Sequence, residues 1–346
     1  MLTDQTITSR KQRWLNFYGF QNPASHLFII HCTPELVTRP WPRLDLKPAR
    51  IEWAWQKYQL QLEQLNWLDD DALPFLDVYT GTEIFAQAFG CPVVYPADDM
   101  PFAQPLIRAA NEVSSLNVPD FSATPLAELF EIADELRRRS GPGALVKLVD
   151  VQCPMDIAAL IWEKASFYTA LLETPEAVIE LAYKVRQLLT GFLDAWFERY
   201  GHEFIAHYPD YYMSGGVTLS EDEVGSVSAA MFNDYFLPEL SFLSSRYGGM
   251  GMHCCAHARH QWDNFLRIPG LRLLNLVQPP EVTIEAYTFF ASSIAQAHNY
   301  TGEGPAWTWP DHYPTGACVL MEITAENRSQ ALEISTRLRA RLSQSS

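Results

Sequence analysis

Arg246-Tyr-Gly-Gly-Met-Gly-Met-His-Cys-Cys-Ala-His257 is the stretch on which the reading of this chain turns. A helix-like segment, Ala229 to Arg246, leads into it and stops at a double glycine, a common C-terminal stop. The short apolar run Met250 to Met252 then predicts a buried strand. His253, Cys254, Cys255 and His257 follow at once, the densest group of metal-capable side chains in the chain. If 250–253 is a strand of a parallel barrel, the group lies at its C-terminal end, where such barrels do chemistry. Cys254 and Cys255 would point to opposite faces of an extended segment, so at most one faces a cleft. The competing reading is packing: Cys ends many buried strands as a small hydrophobe, and a single His there can simply hydrogen-bond.

The same helix-to-strand alternation runs outward in both directions. Upstream, Leu27–His31 (LFIIH), Leu73–Tyr79 (LPFLDVY), Ala144–Val151 (ALVKLVDV) and Glu203–His207 (EFIAH) read as strands. Downstream, Leu271–Val277 (LRLLNLV), Ser293–His298 and Ala317–Thr324 (ACVLMEIT) do so. Between them lie helical patterns. Residues 50–66 carry Trp53, Tyr58, Leu60, Leu62 and Leu65 at helical spacing, and Thr174-Pro-Glu reads as an N-cap. Residues 91–125 read as an irregular excursion with a short hairpin, and YPDYYMSGGVTLSEDEVG (208–225) as a loop. About eight candidate strands alternating with helices predict an α/β chain, a (β/α)8 TIM barrel. No glycine-rich phosphate fingerprint follows any strand, which disfavours a nucleotide-binding sheet. No linker or repeat interrupts the pattern, so residues 1–346 read as one domain with an N-terminal helical extension over 1–25.

Composition narrows the function. The 346 residues are 48% hydrophobic and 19% charged, with a net charge of −16. So acidic a chain does not suit nucleic acid, whose phosphates need a basic face. The one basic run, Arg137-Arg138-Arg139, ends a predicted helix, where it suits the helix dipole. No apolar run is long enough for a bilayer and no signal core opens the chain, so a cytoplasmic protein with no membrane partner is expected. The six cysteines contain no C-x-x-C pair, so free thiols are expected.

Several segments resemble the uroporphyrinogen decarboxylase superfamily, which also holds methylcobalamin:coenzyme M methyltransferases. LPFLDVYTGTEIFAQAFGC (73–91) is similar to the family's glycine followed by a helix ending in Ala-Phe-Gly-Cys. PLIRAANEVSSLNVPD (105–120) resembles its segment ending in Pro-Asp, and LLETPEAVIELAYKV (171–185) its Pro-Glu-x-Val helix start. Asp222, Ser228, Phe232 and Phe236-Leu237-Pro238 match its Asp-containing loop and the helix after it. Met252-His253-Cys254-Cys255 resembles its His-x-Cys-Gly, with Ala256 in place of the glycine.

The resemblance implies a (β/α)8 barrel and one of two activities. In the decarboxylase branch an arginine-rich loop after the first strand binds the substrate's carboxylates. Here that loop is CTPELVTRPWPR (32–43), which offers Arg39 and Arg43, with Arg259 further along the chain. Several cations would be needed for such a substrate. In the methyltransferase branch a zinc ion sits on His-x-Cys and a late cysteine, and makes a thiol nucleophilic toward a methyl-corrinoid. His253 and Cys255 match the first part. Cys318 precedes the apolar run of the last strand, at its wrong end, so Glu322 or His298 is the expected third ligand. Asp222, Glu221 and Tyr212 are expected as cleft residues orienting substrate, with His207, Arg39 and Arg43 binding it. Glu221 to Glu223 also read as a solvated acidic turn, and His207 as a core histidine. Three functions follow: a zinc-dependent methyltransferase moving a methyl group from a corrinoid to a thiol-type acceptor, with a corrinoid protein as partner; a metal-free decarboxylase of uroporphyrinogen or another carboxylated small molecule; and a non-catalytic barrel that binds a corrinoid or tetrapyrrole.

Overall fold

The computed structural model of the chain describes residues 2–19, 26–32 and 38–344. Residues 1 and 20–25 of the expected N-terminal extension lie outside the described part, as do 33–37 of the Pro-rich loop. The extension itself is a helix, α1 (Leu2–Tyr18). Trp14 and Phe17 anchor it in the core, and the Tyr18 hydroxyl donates to the Tyr212 carbonyl at 2.7 Å.

The chain then runs through β1 (Leu27–Cys32), α2 (Lys47–Gln64), β2 (Phe75–Leu76) and α3 (Ile84–Ala88). The excursion carries the antiparallel hairpin β3 (Val93–Val94) and β4 (Phe102–Ala103). Next come α4 (Ala127–Ser140), β5 (Leu145–Lys147), α5 (Pro154–Ile161), α6 (Lys164–Glu173) and α7 (Pro175–Tyr200). After β6 (Phe204–Ile205), β7 (Tyr212–Met213) and β8 (Val217–Ser220) stand the one-turn α8 (Ala229–Met231) and α9 (Leu237–Tyr247), joined by a π-helical turn. The last part is β9 (Met250–Cys254), α10 (Trp262–Phe265), β10 (Leu271–Leu276), α11 (Pro280–Phe289), β11 (Ala295–Gln296), β12 (Leu320–Ala325) and α12 (Arg328–Gln344).

This is a mixed α/β fold of parallel sheets. One sheet has the order β11-β10-β9-β8, another β2-β5-β6 with β7 antiparallel at its edge, and β1 pairs with β12. Parallel bridges Gln152↔Ser220 and Gln296↔Val319 tie these sheets to one another. Of the expected (β/α)8 barrel, the parallel strands with crossover helices are present. Between β1 and β2, among the described residues, no ladder forms. There side chains serve the strand backbones: Asp71 Oδ2 accepts from Phe28 N–H, Asp70 Oδ2 from Ile30 N–H, and Gln61 Oε1 from Phe75 N–H, while Gln64 Nε2 donates to the Ile30 carbonyl.

Local chemistry explains the elements. Helix α7 opens with Pro at its first turn and ends at Gly201, and buries Leu181, Val185, Leu188, Phe192 and Trp196 along one stripe. Each such side chain, fully buried, contributes about 1.5–3 kcal/mol. Thr174 stands at its N-terminus, but its hydroxyl makes no capping bond. Gly248 closes α9 in the left-handed region, at φ +81°. Gly251 lies on β9 because a Cβ there would meet the Tyr211 hydroxyl at 2.0 Å. Strand β8 stands within the loop expected over 208–225, because its four residues follow two glycines and an aromatic turn that mask its pattern. Among the described residues no helix is long and apolar enough to cross a membrane.

Candidate metal centre and cleft

Parallel register places three polar side chains in one row. Ser220 of β8 and Asn275 of β10 both pair with His253 of β9. Side chains alternate along each strand, so the next residues on that face are Asp222 and Cys255. Asp222, His253 and Cys255 each offer a ligand atom within 4.8 Å of the others. The two intervening residues point the other way: Cys254 and Glu221 are fully buried.

The surroundings prepare this trio. The Asn275 Nδ2 donates to the Ala297 carbonyl, which turns its Oδ1 toward His253 Nδ1 at 2.5 Å. His253 Nδ1 therefore carries the proton and donates, leaving the Nε2 lone pair for a cation. Burial holds His253 below the usual histidine pKa, which keeps that lone pair available at neutral pH. Asp156 accepts from the Asp222 N–H at 2.8 Å and the Glu223 N–H at 3.0 Å, clamping the turn that carries Asp222. The Cys255 N–H in turn donates to Asp222 Oδ1 at 2.6 Å. Burial, then a hydrogen bond to Asp222, pushes the Cys255 thiol up to about 12. A proton held between sulfur and carboxylate thus stands where a cation would bind, and a metal would displace it. The donor set of one S, one N and one O suits zinc, whose bonds of about 2.0–2.3 Å set ligands roughly 3–4 Å apart. The trio would hold zinc after a small contraction, and because all three residues line the cleft, a zinc held there would supply its Lewis acidity to the cleft.

That cleft is a cavity of about 620 Å³. Beside the metal trio lies His207, whose Nε2 is 3.0 Å from Asp150 Oδ1 and 3.1 Å from Ser220 Oγ. Burial alone would raise Asp150, yet the charge of His207 and its hydrogen bond keep it below the usual value. The opposite wall is an ion quartet. Lys57 lies 2.6 Å from Asp77 and 3.8 Å from Asp210, and Lys147 lies 2.7 Å from Asp210 and 3.7 Å from Asp77. Burial pulls Lys147 down, but Asp210 and Asp77 more than offset it, so the ammonium stays charged. Arg39 lies over the Tyr79 ring at 3.9 Å. Glu322 is 3.7 Å from His31 Nε2.

The expected site residues divide accordingly. Asp222, His207, Arg39, His253, Cys255 and Glu322 all line the one cavity. Asp222 rather than Glu322 completes the trio. Five expectations are corrected. His298 is buried, accepts from the Leu276 N–H at Nδ1 and pairs with Gln296 at Nε2, so no nitrogen remains for a metal. Glu221 faces Asp156 and Cys153 in the interior, where burial raises its pKa well above the usual carboxylate value. Tyr212 is buried on β7 with its hydroxyl on Glu203, away from the cleft. Arg43 pairs with Asp45 at 2.9 Å outside the cavity, and Arg259 pairs with Glu285 on the surface. Cys318 is buried ahead of β12, as its position implied. The quartet and Asp150 were missed; their one signal was a charged residue closing an apolar run, as in LPFLDVY and ALVKLVDV.

Comparison with known proteins agrees with this architecture. Residues 70–273 match the model of the uroporphyrinogen decarboxylase (URO-D) family, and the chain belongs to that family. A solved methyltransferase from Methanosarcina mazei superposes over 97% of this chain and 98% of its own, with a TM-score of 0.67 at 12% identity, a likeness of fold. The homocysteine methyltransferase MmuM from Escherichia coli, in its apo form, covers 69% of this chain and 95% of its own at 13% identity, with a TM-score of 0.24, too low to carry an argument. Curated protein sequences give no match.

Proposed function

We propose that the chain is a zinc-dependent methyltransferase that moves a methyl group from a corrinoid to a small thiol-type acceptor. The observation that carries this reading is the convergence of Asp222, His253 and Cys255 at the cleft. A zinc ion there lowers the pKa of a thiol that approaches it, so that the thiol is nucleophilic at neutral pH. The chain's own residues supply the rest. Asn275 fixes the tautomer of His253, and Asp156 fixes the turn of Asp222. Carboxylates on the cavity wall, Glu322 among them, can take the acceptor's proton. The ion quartet and Arg39 define the far wall, against which the acceptor's polar tail would lie. A corrinoid is too large for the cavity and would present its methyl group at the mouth, alone or on a carrier protein. Decarboxylation of a polycarboxylate is less well supported. Apart from Arg39 the cleft's lysines are already held by Asp77 and Asp210.

Metal analysis of the purified protein tests the reading. About one zinc per chain is expected, retained on gel filtration and lost in both His253→Ala and Cys255→Ser with unchanged far-UV circular dichroism. Methyl transfer from methylcobalamin to a thiol, followed by the corrinoid spectrum, should fall with the metal. Stoichiometric zinc in both variants would remove the site; zinc without methyl transfer would remove the reaction.

A further inference from the structure

The seam between β1 and β2 opens into a second chamber of about 380 Å³. Its walls are mainly apolar: Ile29 of β1, Leu60 of α2, then Leu65, Trp67, Leu73 and Phe75. His31, Lys57 and Asp210 line both this chamber and the metal cleft, so the ion pairs of Lys57 form the partition between them. The chamber exists because no ladder closes the seam. Asp70, Asp71, Gln61 and Gln64 hydrogen-bond the facing backbones and hold the strands apart. Nor is the lining satisfied by the protein alone. Arg10 is 2% exposed and lines the chamber; its terminal nitrogens bind Asp70 and the Leu68 and Ala72 carbonyls, but its Nε–H has no partner. A buried donor without an acceptor is costly unless a ligand or water supplies one. An apolar cavity of this size with a few convergent polar groups has the character of a small-molecule site, which runs to roughly 300–1,000 Å³.

We propose that this seam chamber is a second binding site, which takes a linear apolar group of several carbons ending in a hydrogen-bond acceptor such as a carbonyl oxygen. The acceptor lies at the Arg10 end of the chamber, and the apolar arm lies between Leu60, Trp67 and Leu73. The site does not depend on the metal, so it stands or falls apart from the methyltransferase reading.

The test is titration calorimetry of the full chain with butanamide, hexanamide and octanamide, with the change in tryptophan fluorescence that is lost on Trp67→Phe as a second readout. Affinity should rise roughly fourfold per added methylene, about 250-fold across the series. Leu60→Trp, a change on the half-buried face of α2, fills the chamber and should abolish most of that rise; Leu65→Phe is the second variant should the first not fold. Cys255→Ser, which removes a proposed metal ligand at the other end of the partition, should leave the series unchanged. Affinity that is flat with chain length, or a rise that persists in both filled variants, overturns the proposal.

Discussion

The cleft has two poles built in different ways. The metal pole comes from consecutive strands: the row Ser220–His253–Asn275 is set by parallel register, and Asp222 and Cys255 sit one step beyond it. The lysine pole comes from four distant segments, with Lys57 on α2, Asp77 after β2, Lys147 on β5 and Asp210 after β6. The first is a set of neutral or singly charged groups that hold one another loosely and gain order from a cation. The second is a closed set of buried opposite charges that already satisfies itself. Loss of a metal ligand should therefore weaken metal binding with little change in fold stability, whereas loss of one member of the quartet should cost stability with little change in metal.

The sharpest break of that contrast is Lys147→Met. It leaves Asp210 and Asp77 facing one remaining ammonium, and an uncompensated buried charge costs about 3–5 kcal/mol. Urea unfolding should show this loss, while zinc content stays at the wild-type level. The double variant Lys147→Met/Asp210→Leu should recover most of the stability, because removing both partners leaves no orphan. A single variant as stable as the wild type would mean that water, not Lys147, solvates Asp210.

At the other pole the corresponding change is Asn275→Leu. The His253 Nδ1 proton loses its acceptor, and the ring is free to rotate or to present the wrong nitrogen. Such outer partners of a metal-bound histidine are worth about 10–100-fold in affinity. Competition with a chromophoric chelator should show that loss, and the cobalt-substituted protein should show an altered visible spectrum. Asn275→Asp keeps an acceptor and should recover part of it. Unfolding by urea, measured without metal, should move far less than in Lys147→Met.

The same contrast explains what was legible in the sequence. His253 and Cys255 could be named because ligands two apart on a strand share a face, a local property. So could the parallel α/β plan, which needs only alternating periodicities. Asp222 and Glu221 were both expected in the cleft, and the alternation that separates them depends on knowing that Val217–Ser220 is a strand. That strand follows two glycines and carries no pattern of its own. His298 looked like a ligand at a strand end, yet its two nitrogens are spent on Leu276 and Gln296, partners that only packing reveals. The quartet could not be read at all, since no two of its members are near in sequence. Arg39 and Arg43 are alike in the sequence, and only the ion pair of Arg43 with Asp45 separates them.

Acid should separate the poles next. Asp210 is held down to about 2 by Lys147 and Lys57, against the pull of burial. Its folded pKa lies below its unfolded value, so the stability it contributes is full above about pH 4 and disappears as the pH falls through about 2. The amount is about 2 kcal/mol. The wild type should therefore lose more stability than the Lys147→Met/Asp210→Leu double variant between pH 4.5 and 2, by about that much. Carboxylates outside the quartet are common to both proteins and cancel in the difference, and Asp77 keeps its nearer partner, Lys57, in both. Equal acid sensitivity would show that the pair is not coupled to folding.

The smallest expected effect divides the two arginines of the loop. Arg43 holds Asp45 on the surface, and its removal should change neither ligand binding nor stability measurably, as is usual for an exposed pair screened by solvent. Arg39 lies in the cavity wall, stacked on Tyr79, with no ion pair among the described residues, and so carries a positive charge that a ligand can meet. Arg39→Gln should therefore weaken an anionic acceptor thiol such as mercaptopropionate while leaving a neutral one such as mercaptoethanol as before, with Arg43→Gln indistinguishable from the wild type toward both. Equal loss for both thiols would mean that Arg39 shapes the loop rather than meets the substrate, and the far wall of the cleft would then act by shape alone.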